Sequence, residues 1–483
     1  MVMETLQIRL TKGLIEEIQK LVDKDIYSSI SEGVRDAVRR LVLGKEEKII
    51  LPQVKQVQKK IEKEIKKQFR GPTGTVDFYP EDMATRKFIF RRFMDVAEKY
   101  NFKQIETPAF ESLDLLTRKE GNEIKNQIFV LEKKGDEEFG LRFDVTVPCA
   151  RMFIEKQKEL SRPVKWYYLT RMWRYERPQQ GRLREFYQYG TELFGSNKPE
   201  ADAEIISLLV DSFIAVGLTS RDFFVKINNR KLLEGLLKDF IEEKKIFDVI
   251  AIIDKKNKIT EEEFDNELKK IKLDDEKINK IIAIIGIKDI NDAKQYCKND
   301  LAKEGFDELQ SILNLLKNKK EFLRIDISTA RGLAYYTGIV FEAYDINEKY
   351  RALAGGGRYD KMIEMFRGEP TPATGFGLGY ATLSLLLKEK KLLPKVDLGP
   401  DYFIAIVNDE VREKAIEIAN NLRKKFKVDI DLMQRNLGNQ FKCANKINAK
   451  KVIIVGPDEL KEGKVKIKDM QTGKEELMEI SKL

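Results

Sequence analysis

Four arginines surround a predicted turn in the segment RYERPQQGRLREFYQYGTE, residues 174–192. Pro178 and Gly181 favour a turn and apolar residues alternate beyond it, so the segment is predicted to form strand, turn and strand. Guanidinium groups held at a turn match the geometry of phosphate oxygens. The segment therefore predicts an anion-binding surface, and Gln188 and Glu192 beyond the turn could hydrogen-bond a small polar ligand beside it.

A second segment, TARGLAYYTGIVFE at residues 329–342, adds one more arginine and two aromatic hydroxyl groups. Arg331 contributes a further guanidinium, while Tyr335 and Tyr336 can both donate and accept hydrogen bonds. Two glycines in the segment permit close approach of the backbone to a ligand. The two segments together indicate a site for a ligand that carries both phosphate and polar groups.

Seven segments, in one order along the chain, resemble the motifs of histidyl-tRNA synthetase, a family of class II aminoacyl-tRNA synthetases. Residues 174–192 resemble its motif 2, and residues 329–342 resemble its first histidine signature. The other matches are GPTGTVDFYP (71–80) to the start of the catalytic domain, TPAFESLDLL (107–116) to motif 1, LRFDVTVP (141–148) to the amino-acid-binding segment, AGGGRYD (354–360) to the second histidine signature, and TPATGFGLGYATL (371–383) to motif 3.

The resemblance implies an α+β fold with a class II antiparallel sheet flanked by helices in residues 71–395. A Lys/Ile/Asp-rich stretch at about 230–320 would be a helical insertion that approaches the tRNA acceptor stem. Strand and helix patterns alternate in residues 400–483, which predicts an α/β module resembling the anticodon-binding domain. This module argues against the shortened synthetase paralogue that regulates histidine biosynthesis, because that paralogue lacks it.

The resemblance also implies ATP and L-histidine as substrates, Mg²⁺ between the phosphates, and tRNA(His) as the acceptor. The implied catalytic residues are Arg174 and Arg331. The implied ATP-binding residues are Arg174, Glu176 and Arg182. The implied histidine-binding residues are Asp144, Val145, Thr146, Arg174, Gln188, Glu192, Arg331, Tyr335, Tyr336 and Tyr359.

The chain departs from the family pattern at four positions. Thr382 stands where motif 3 carries an arginine that grips ATP, and Ala334 replaces an aspartate in the first histidine signature. Val76 replaces an arginine at the domain entry, and Tyr187 replaces a histidine in motif 2. The loss at Thr382 leaves three alternatives: a compensating lysine or arginine elsewhere, a slower enzyme, or a weakened paralogue that regulates transcription by sensing histidine or tRNA.

Residues 1–45 are predicted to form a separate module of one strand and two short helices, with Thr11 and Ser31 as helix caps. The pattern resembles the ribbon-helix-helix fold, in which paired strands of a dimer enter the major groove of DNA. By resemblance Thr5, Gln7 and Arg9 would face the bases. Residues 1–50 carry nine basic and nine acidic side chains, so the module could instead contact tRNA or only dimerise.

Residues 46–70 are predicted to form a basic helical linker, which either contacts tRNA or is simply solvated. A homodimer is expected, because motif 1 resembles a dimer interface and the N-terminal module needs a two-fold partner.

The composition, with 42% hydrophobic and 35% charged residues, indicates a globular chain without a membrane-spanning segment. No apolar run approaches the ~20 residues that span a bilayer, and the N-terminus lacks a signal-peptide pattern. Cys149, Cys297 and Cys443 are odd in number and far apart, which predicts reduced thiols in a cytoplasmic protein. The net charge of +9 is compatible with a nucleic-acid partner.

The chain contains no histidine, which excludes serine–histidine triads, cysteine–histidine pairs and histidine-ligated zinc. Its chemistry must use carboxylates, arginine, lysine, tyrosine and backbone groups. Activation of a phosphate ester by positioned arginines and a metal fits this restriction, because it depends mainly on placement and electrostatics.

Overall fold

The computed structural model describes residues 10–24, 26–43, 71–118, 126–256, 259–330 and 335–483, and the side chains of all of these except 39–43. The described residues belong to two compact units, Met1–Asp77 and Phe78–Leu483. Several predictions concern residues outside these ranges: the strand with Thr5, Gln7 and Arg9, the linker helix, and Arg331.

The first unit contains the helices Lys12–Val22 and Ile30–Leu43. Leu14, Ile18 and Leu21 from the first helix are buried against Ala37 from the second, as their helical spacing predicts. The prediction of Ser31 as the second N-cap is wrong, because the helix already begins at Ile30. The Ser29 hydroxyl accepts a hydrogen bond from the Glu32 backbone N–H at 3.2 Å, so the cap lies two residues earlier.

The second unit is built around an eight-stranded sheet within the described chain, in the order β1-β4-β5-β10-β9-β8-β6-β7. β1 pairs with β4 and β6 with β7 in parallel, while the other neighbouring pairs are antiparallel. The strands are β1 Lys103–Gln104, β4 Val164–Trp173, β5 Glu185–Phe194, β6 Phe223–Asn229, β7 Leu323–Ile325, β8 Ile339–Asp345, β9 Ala354–Arg358 and β10 Ala373–Gly379, with β2 Phe110–Ser112 and β3 Phe139–Leu141 pairing separately.

Helices flank this sheet and supply its apolar core. They span Pro80–Lys99, Leu113–Thr117, Thr146–Glu155, Pro199–Ala215, Arg230–Lys238, Glu243–Ile253, Glu261–Lys270, Asp275–Ile285, Ile290–Ala293, Asp300–Leu315, Met362–Met365 and Tyr380–Glu389. The helical pattern predicted at about 230–320 is present. The antiparallel-rich sheet with flanking helices confirms the predicted α+β class II architecture.

The C-terminal part has its own sheet and its own core. Its strands are β11 Tyr402–Ile406, β12 Val428–Ile430, β13 Lys451–Val455, β14 Lys464–Asp469 and β15 Glu475–Glu479, and its helices are Arg412–Leu422, Leu437–Lys446 and Pro457–Lys461. The order β12-β11-β13-β14-β15 begins with parallel pairs and ends with antiparallel pairs. This arrangement confirms the predicted α/β module. Among the residues that the structure describes, no helix is both long enough and apolar enough to span a membrane.

Candidate active site

A cavity of about 300 Å³ lies against the middle of the large sheet, where β5, β9 and β10 pair. The predicted site residues that line it are Asp144, Thr146, Arg174, Gln188, Tyr335, Tyr336 and Tyr359. These residues come from segments far apart in sequence, so the fold brings together what the motifs predicted. Of the other predicted residues that the structure describes, Val145, Glu176, Arg182 and Glu192 lie around the cavity without lining it.

Arg174 follows β4 directly and is fixed by three neighbours. Its backbone N–H donates to the Arg184 carbonyl at 2.9 Å, which continues the strand pairing toward the turn. Its Nε donates to the Phe143 carbonyl at 3.0 Å, and its guanidinium lies 5.2 Å from the centre of the Phe186 ring. A guanidinium held in this way is preorganised for an anion in the cavity.

The predicted turn is present and carries a second arginine. Backbone hydrogen bonds of 3.1 and 2.8 Å join Gln179 and Arg182, which confirms the strand–turn–strand interpretation. The Arg182 side chain forms a short ion pair with Glu176. Burial lowers the pKa of Arg182, and the positive charges of Arg351 and Arg174 lower it further. The turn therefore gathers positive charge beside the cavity.

The segment 144–146 places one carboxylate and one hydroxyl on the cavity wall. Asp144 Oδ1 accepts a hydrogen bond from the Val147 backbone N–H at 3.3 Å, and Thr146 begins the helix Thr146–Glu155. Val145 is 1% exposed, and its side chain packs into an apolar cluster. The negative charge and the hydroxyl suit a cationic ligand group such as an ammonium.

Gln188 projects from β5 into the cavity opposite a glycine of β10. A Cβ atom on Gly377 would lie 2.0 Å from Gln188 Nε2, so the side chain occupies space that only glycine leaves open. Gln188 Nε2 also donates to the Tyr168 hydroxyl at 3.4 Å. Burial raises the pKa of Tyr168 well above its usual value, and the negative charges of Glu192 and Asp144 add to this effect. Tyr168 is thus a neutral hydrogen-bonding group.

Three tyrosines form an aromatic wall. The ring centroids of Tyr335 and Tyr336 are 4.6 Å apart, and they lie 5.9 and 6.3 Å from that of Tyr359. The Tyr359 hydroxyl donates to the carboxylate of Glu192, which is 1% exposed behind the wall. Glu192 is therefore linked to the cavity through Tyr359, and a Cβ on Gly375, which lines the cavity, would lie 2.9 Å from Glu192 Oε2. Such a wall suits a small ring with polar atoms.

The sequence reasoning missed three polar residues that line the cavity: Tyr168, Glu342 and Arg351. Glu342 ends the segment TARGLAYYTGIVFE, so its place in that motif was the available signal. Its Oε2 accepts from the Tyr344 hydroxyl at 2.6 Å. Tyr168 pairs with Gly190, two residues from Gln188, so extending the predicted hairpin back from its turn would have placed Tyr168 beside Gln188. Arg351 lies outside every motif, and no sequence signal marked it.

Two of the departures from the family pattern have clear structural roles. Thr382 lines the cavity, and its hydroxyl donates to the Gly181 carbonyl at 3.3 Å, which ties the helix Tyr380–Glu389 to the turn. Tyr187 accepts a hydrogen bond from Arg171 Nε at 2.6 Å and lies under the Arg86 guanidinium at 4.1 Å. Thr382 thus holds the turn in place but brings no charge to it.

Comparisons with known proteins agree with this geometry. Residues 74–383 match the family model of histidyl-tRNA synthetase, and residues 401–483 match that of the anticodon-binding domain. The histidine–tRNA ligase of Pyrococcus furiosus is 41% identical over 416 residues, which cover 84% of this chain and 96% of that protein.

Solved structures give the same assignment. The histidyl-tRNA synthetase from Nostoc sp. PCC 7120 superposes with a TM-score of 0.72 at 29% identity, covering 85% of this chain and 97% of that chain. A Bacillus halodurans protein described as an ATP phosphoribosyltransferase regulatory subunit/histidyl-tRNA synthetase has a TM-score of 0.68 at 25% identity, covering 80% and 98%. The match to the family model and the identity to the Pyrococcus relative show that the chain belongs to the histidyl-tRNA synthetase family.

Proposed function

We propose that this chain ligates L-histidine to tRNA(His) in two steps that use ATP. In the first step a histidine carboxylate oxygen bonds to the α-phosphorus of ATP, and pyrophosphate leaves. In the second step a ribose hydroxyl at the tRNA terminus takes the histidyl group from the adenylate, and AMP leaves. The observation that carries the proposal is the cavity in which Arg174, Gln188 and the tyrosine wall meet.

The first step needs positive charge around the α-phosphate, because its transition state concentrates negative charge on the phosphate oxygens. Arg174 is held at the cavity wall by the Phe143 carbonyl, so it can contact both the α-phosphate and the substrate carboxylate. By motif position Arg331 would act from the opposite side. Arg182, oriented by Glu176, would reach the outer phosphates.

Selection of histidine would rest on two sets of polar side chains in the cavity wall. Asp144, Thr146 and Gln188 would bind the substrate ammonium group. The Tyr359–Glu192 pair and Tyr336 would bind the two imidazole nitrogens. A site that hydrogen-bonds both nitrogens rejects side chains that lack them, because its buried polar groups would then be left unpaired.

Mg²⁺ is the proposed metal, and the residues present fit it. Mg²⁺ takes oxygen ligands and is usually held by one or two carboxylates together with substrate phosphates. Glu342 offers a carboxylate in the cavity wall, and no described residues form a larger acidic or thiol cluster able to hold a metal. Bound there, the ion would neutralise charge on the phosphates.

Histidine-dependent exchange between ATP and pyrophosphate tests the first step. We expect exchange that requires histidine and is lost in Arg331→Ala. The rival function is a weakened paralogue that senses histidine or tRNA, and the replacement of the motif 3 arginine by Thr382 favours it. If the protein binds histidine but catalyses no exchange, the synthetase function is rejected and the sensor function is favoured.

For the N-terminal module we propose a dimeric ribbon-helix-helix fold that binds DNA through Thr5, Gln7 and Arg9. The two-helix packing of Leu14, Ile18 and Ala37 supports the fold class, and both matched family models begin after this module. Selection of DNA sequences by the full-length protein, compared with a variant in which all three residues are alanine, tests this role. Equal selection by both proteins would reject these three residues as the DNA contacts, and no selection by the wild type would leave tRNA contact or dimerisation as the module's role.

We also propose a homodimer, with motif 1 in its interface. Phe110 on β2 is 48% exposed and Val130 is 57% exposed, so this surface offers apolar area to a partner. Light scattering of the wild type and of Phe110→Glu tests the assembly, and a monomeric wild type would reject it.

We propose a cytoplasmic location for the protein. The three free cysteines support this location, because thiols stay reduced in the cytoplasm.

A further inference from the structure

The phosphate side of the cavity lacks the guanidinium that motif 3 brings in similar synthetases. Thr382 occupies that place, and its hydroxyl is committed to the Gly181 carbonyl. Among the described residues that line the cavity there are two cations, Arg174 and Arg351. Arg174 already has its role at the α-phosphate, so Arg351 is the cavity cation that no motif explains.

The backbone places Arg351 beside the helix that carries Thr382. Arg351 lies in the loop between β8 and β9, two residues before Leu353. The Leu353 carbonyl accepts a hydrogen bond of 3.1 Å from the N–H of Gly379. Gly379 is the N-cap of the helix Tyr380–Glu389, and Thr382 lies in its first turn. Arg351 therefore approaches, from a different strand, the region that a motif 3 arginine would serve.

The charge environment agrees with this placement. Burial lowers the pKa of Arg182 most. The positive charge of Arg351 has the next largest effect, and that of Arg174 has the third. Arg182 therefore lies close enough to Arg351 and to Arg174 for both positive charges to act on it. Glu342 supplies a carboxylate in the cavity wall, and it already accepts a hydrogen bond from Tyr344. A polyanionic ligand would relieve the remaining repulsion.

Arg351 is also available, whereas its neighbours are engaged. Arg182 is ion-paired with Glu176, and Arg184 donates to the Glu176 carbonyl at 3.0 Å while lying over the Tyr175 ring. Arg351 is exposed and has no ion pair or side-chain hydrogen bond with any residue that the structure describes. An exposed guanidinium that lines a substrate cavity is suited to a phosphate group.

We propose that Arg351 binds the outer phosphates of ATP and takes the place of the missing motif 3 arginine. The inference rests on the proposed function, since ATP is the substrate that brings a triphosphate to this cavity. A terminal phosphate of tRNA has the same chemistry, but Arg351 lies beside the same turn as Arg182, at the end of the cavity assigned to ATP. ATP is therefore the ligand that the geometry favours.

Equilibrium binding of ATP and of adenosine to the full-length protein tests the proposal without requiring catalysis. Arg351→Gln is expected to weaken ATP binding about 10- to 100-fold, the effect of losing a hydrogen bond to a charged group, and to leave adenosine binding unchanged. Arg351→Lys is expected to lose less, because the charge remains while the two-pronged geometry is lost.

Lys349→Gln is the matched control. It removes the same charge from the same loop, but Lys349 is paired with Glu389 and does not line the cavity. ATP affinity in this variant should equal that of the wild type. The proposal is overturned if Arg351→Gln binds ATP as the control does, if it loses ATP and adenosine equally, or if it loses tRNA binding alone.

A second-site restoration gives an independent test. Introducing Thr382→Arg into Arg351→Gln returns the guanidinium to its motif 3 position, and we expect ATP affinity to recover at least partly. If the double variant melts at the temperature of the wild type but its ATP affinity does not recover, Arg351 does not share the role of a motif 3 arginine. If the wild type binds ATP through Arg351 yet catalyses no histidine-dependent exchange, the proposed function fails and this inference stands.

Discussion

The Tyr359 hydroxyl donates a hydrogen bond to the Glu192 carboxylate, and the two side chains are 3% and 1% exposed. A buried carboxylate is costly unless it is hydrogen-bonded, so this contact fixes both groups. Tyr359 comes from the AGGGRYD segment and Glu192 from motif 2. The pair thus couples two sequence motifs into one recognition element at the wall where we place the imidazole.

Removing the Tyr359 hydroxyl should impair histidine recognition more than folding. In Tyr359→Phe the donor to Glu192 is lost, and we expect KM for histidine to rise about 10- to 100-fold, because a hydrogen bond to a charged group contributes roughly 1.5–3 kcal/mol. KM for ATP should change little. Steady-state pyrophosphate exchange at varied histidine and ATP concentrations measures both constants.

Tyr100→Phe provides a matched comparison, because Tyr100 makes an equivalent hydrogen bond of 2.6 Å to Asp211 away from the cavity. This variant should lose stability without a change in KM for histidine. A wild-type KM in Tyr359→Phe would mean that the Tyr359–Glu192 contact is purely structural.

Gly377 should be required for the position of Gln188. In Gly377→Ala the new Cβ would lie 2.0 Å from Gln188 Nε2, and the flexible amide can move only by leaving its place in the cavity. We expect KM for histidine to rise about tenfold or more while the melting temperature falls only modestly. Gly438→Ala is the comparison, since a Cβ there meets only the Asn436 side chain, at 3.7 Å, and Gly438 does not line the cavity. Equal kinetics for both variants would contradict the assignment of Gln188.

The buried pair of Asp202 and Arg358 makes stability depend on pH. Burial raises the pKa of Asp202 to about 6, although Arg358 opposes the shift from 2.9 Å. Burial lowers the pKa of Arg358, but Asp202 and Asp360 outweigh burial and raise it overall. Because Arg358 divides its charge between these two carboxylates, burial prevails at Asp202.

The sign of the pH effect follows from this raised pKa. Between about pH 4 and 6 the folded protein keeps a proton on Asp202 that the unfolded chain releases, so the free energy of unfolding falls as pH rises. The contribution is complete below pH ~4 and should diminish by up to about 3 kcal/mol by pH 7. Urea titrations of the wild type and of Asp202→Asn across this range measure the difference. A wild-type free energy of unfolding that stays constant or rises relative to that of Asp202→Asn between pH 4 and 7 would contradict the prediction.

Local patterns in the sequence predicted one turn and the strand after it, while the sheet as a whole was implied by the family resemblance. Pro178 and Gly181, with the alternating apolar residues beyond them, predicted the turn and β5, because turn chemistry and period are local properties. The cap of the second N-terminal helix was misplaced because Ser28, Ser29 and Ser31 all satisfy the same local preference. Only the packed helix distinguishes between them.

The cavity was predicted where motifs mark it and missed where they do not. Gln188 and Tyr359 lie in recognisable segments, whereas Tyr168 lies outside every segment that resembles a family motif. Arg351 reaches the cavity because the Leu353 carbonyl pairs with Gly379, a contact between distant parts of the chain that no local pattern records. Long-range pairing of this kind becomes visible only in the folded structure.

Charging of tRNA(His) by the purified full-length protein tests the central claim most directly. The assay would follow labelled histidine into acid-precipitable tRNA, with ATP omitted in one arm and each other amino acid supplied in place of histidine in further arms. We expect charging that requires ATP, accepts histidine alone and is lost in Arg174→Ala. Absence of charging by a folded protein that binds both histidine and tRNA(His) would contradict it.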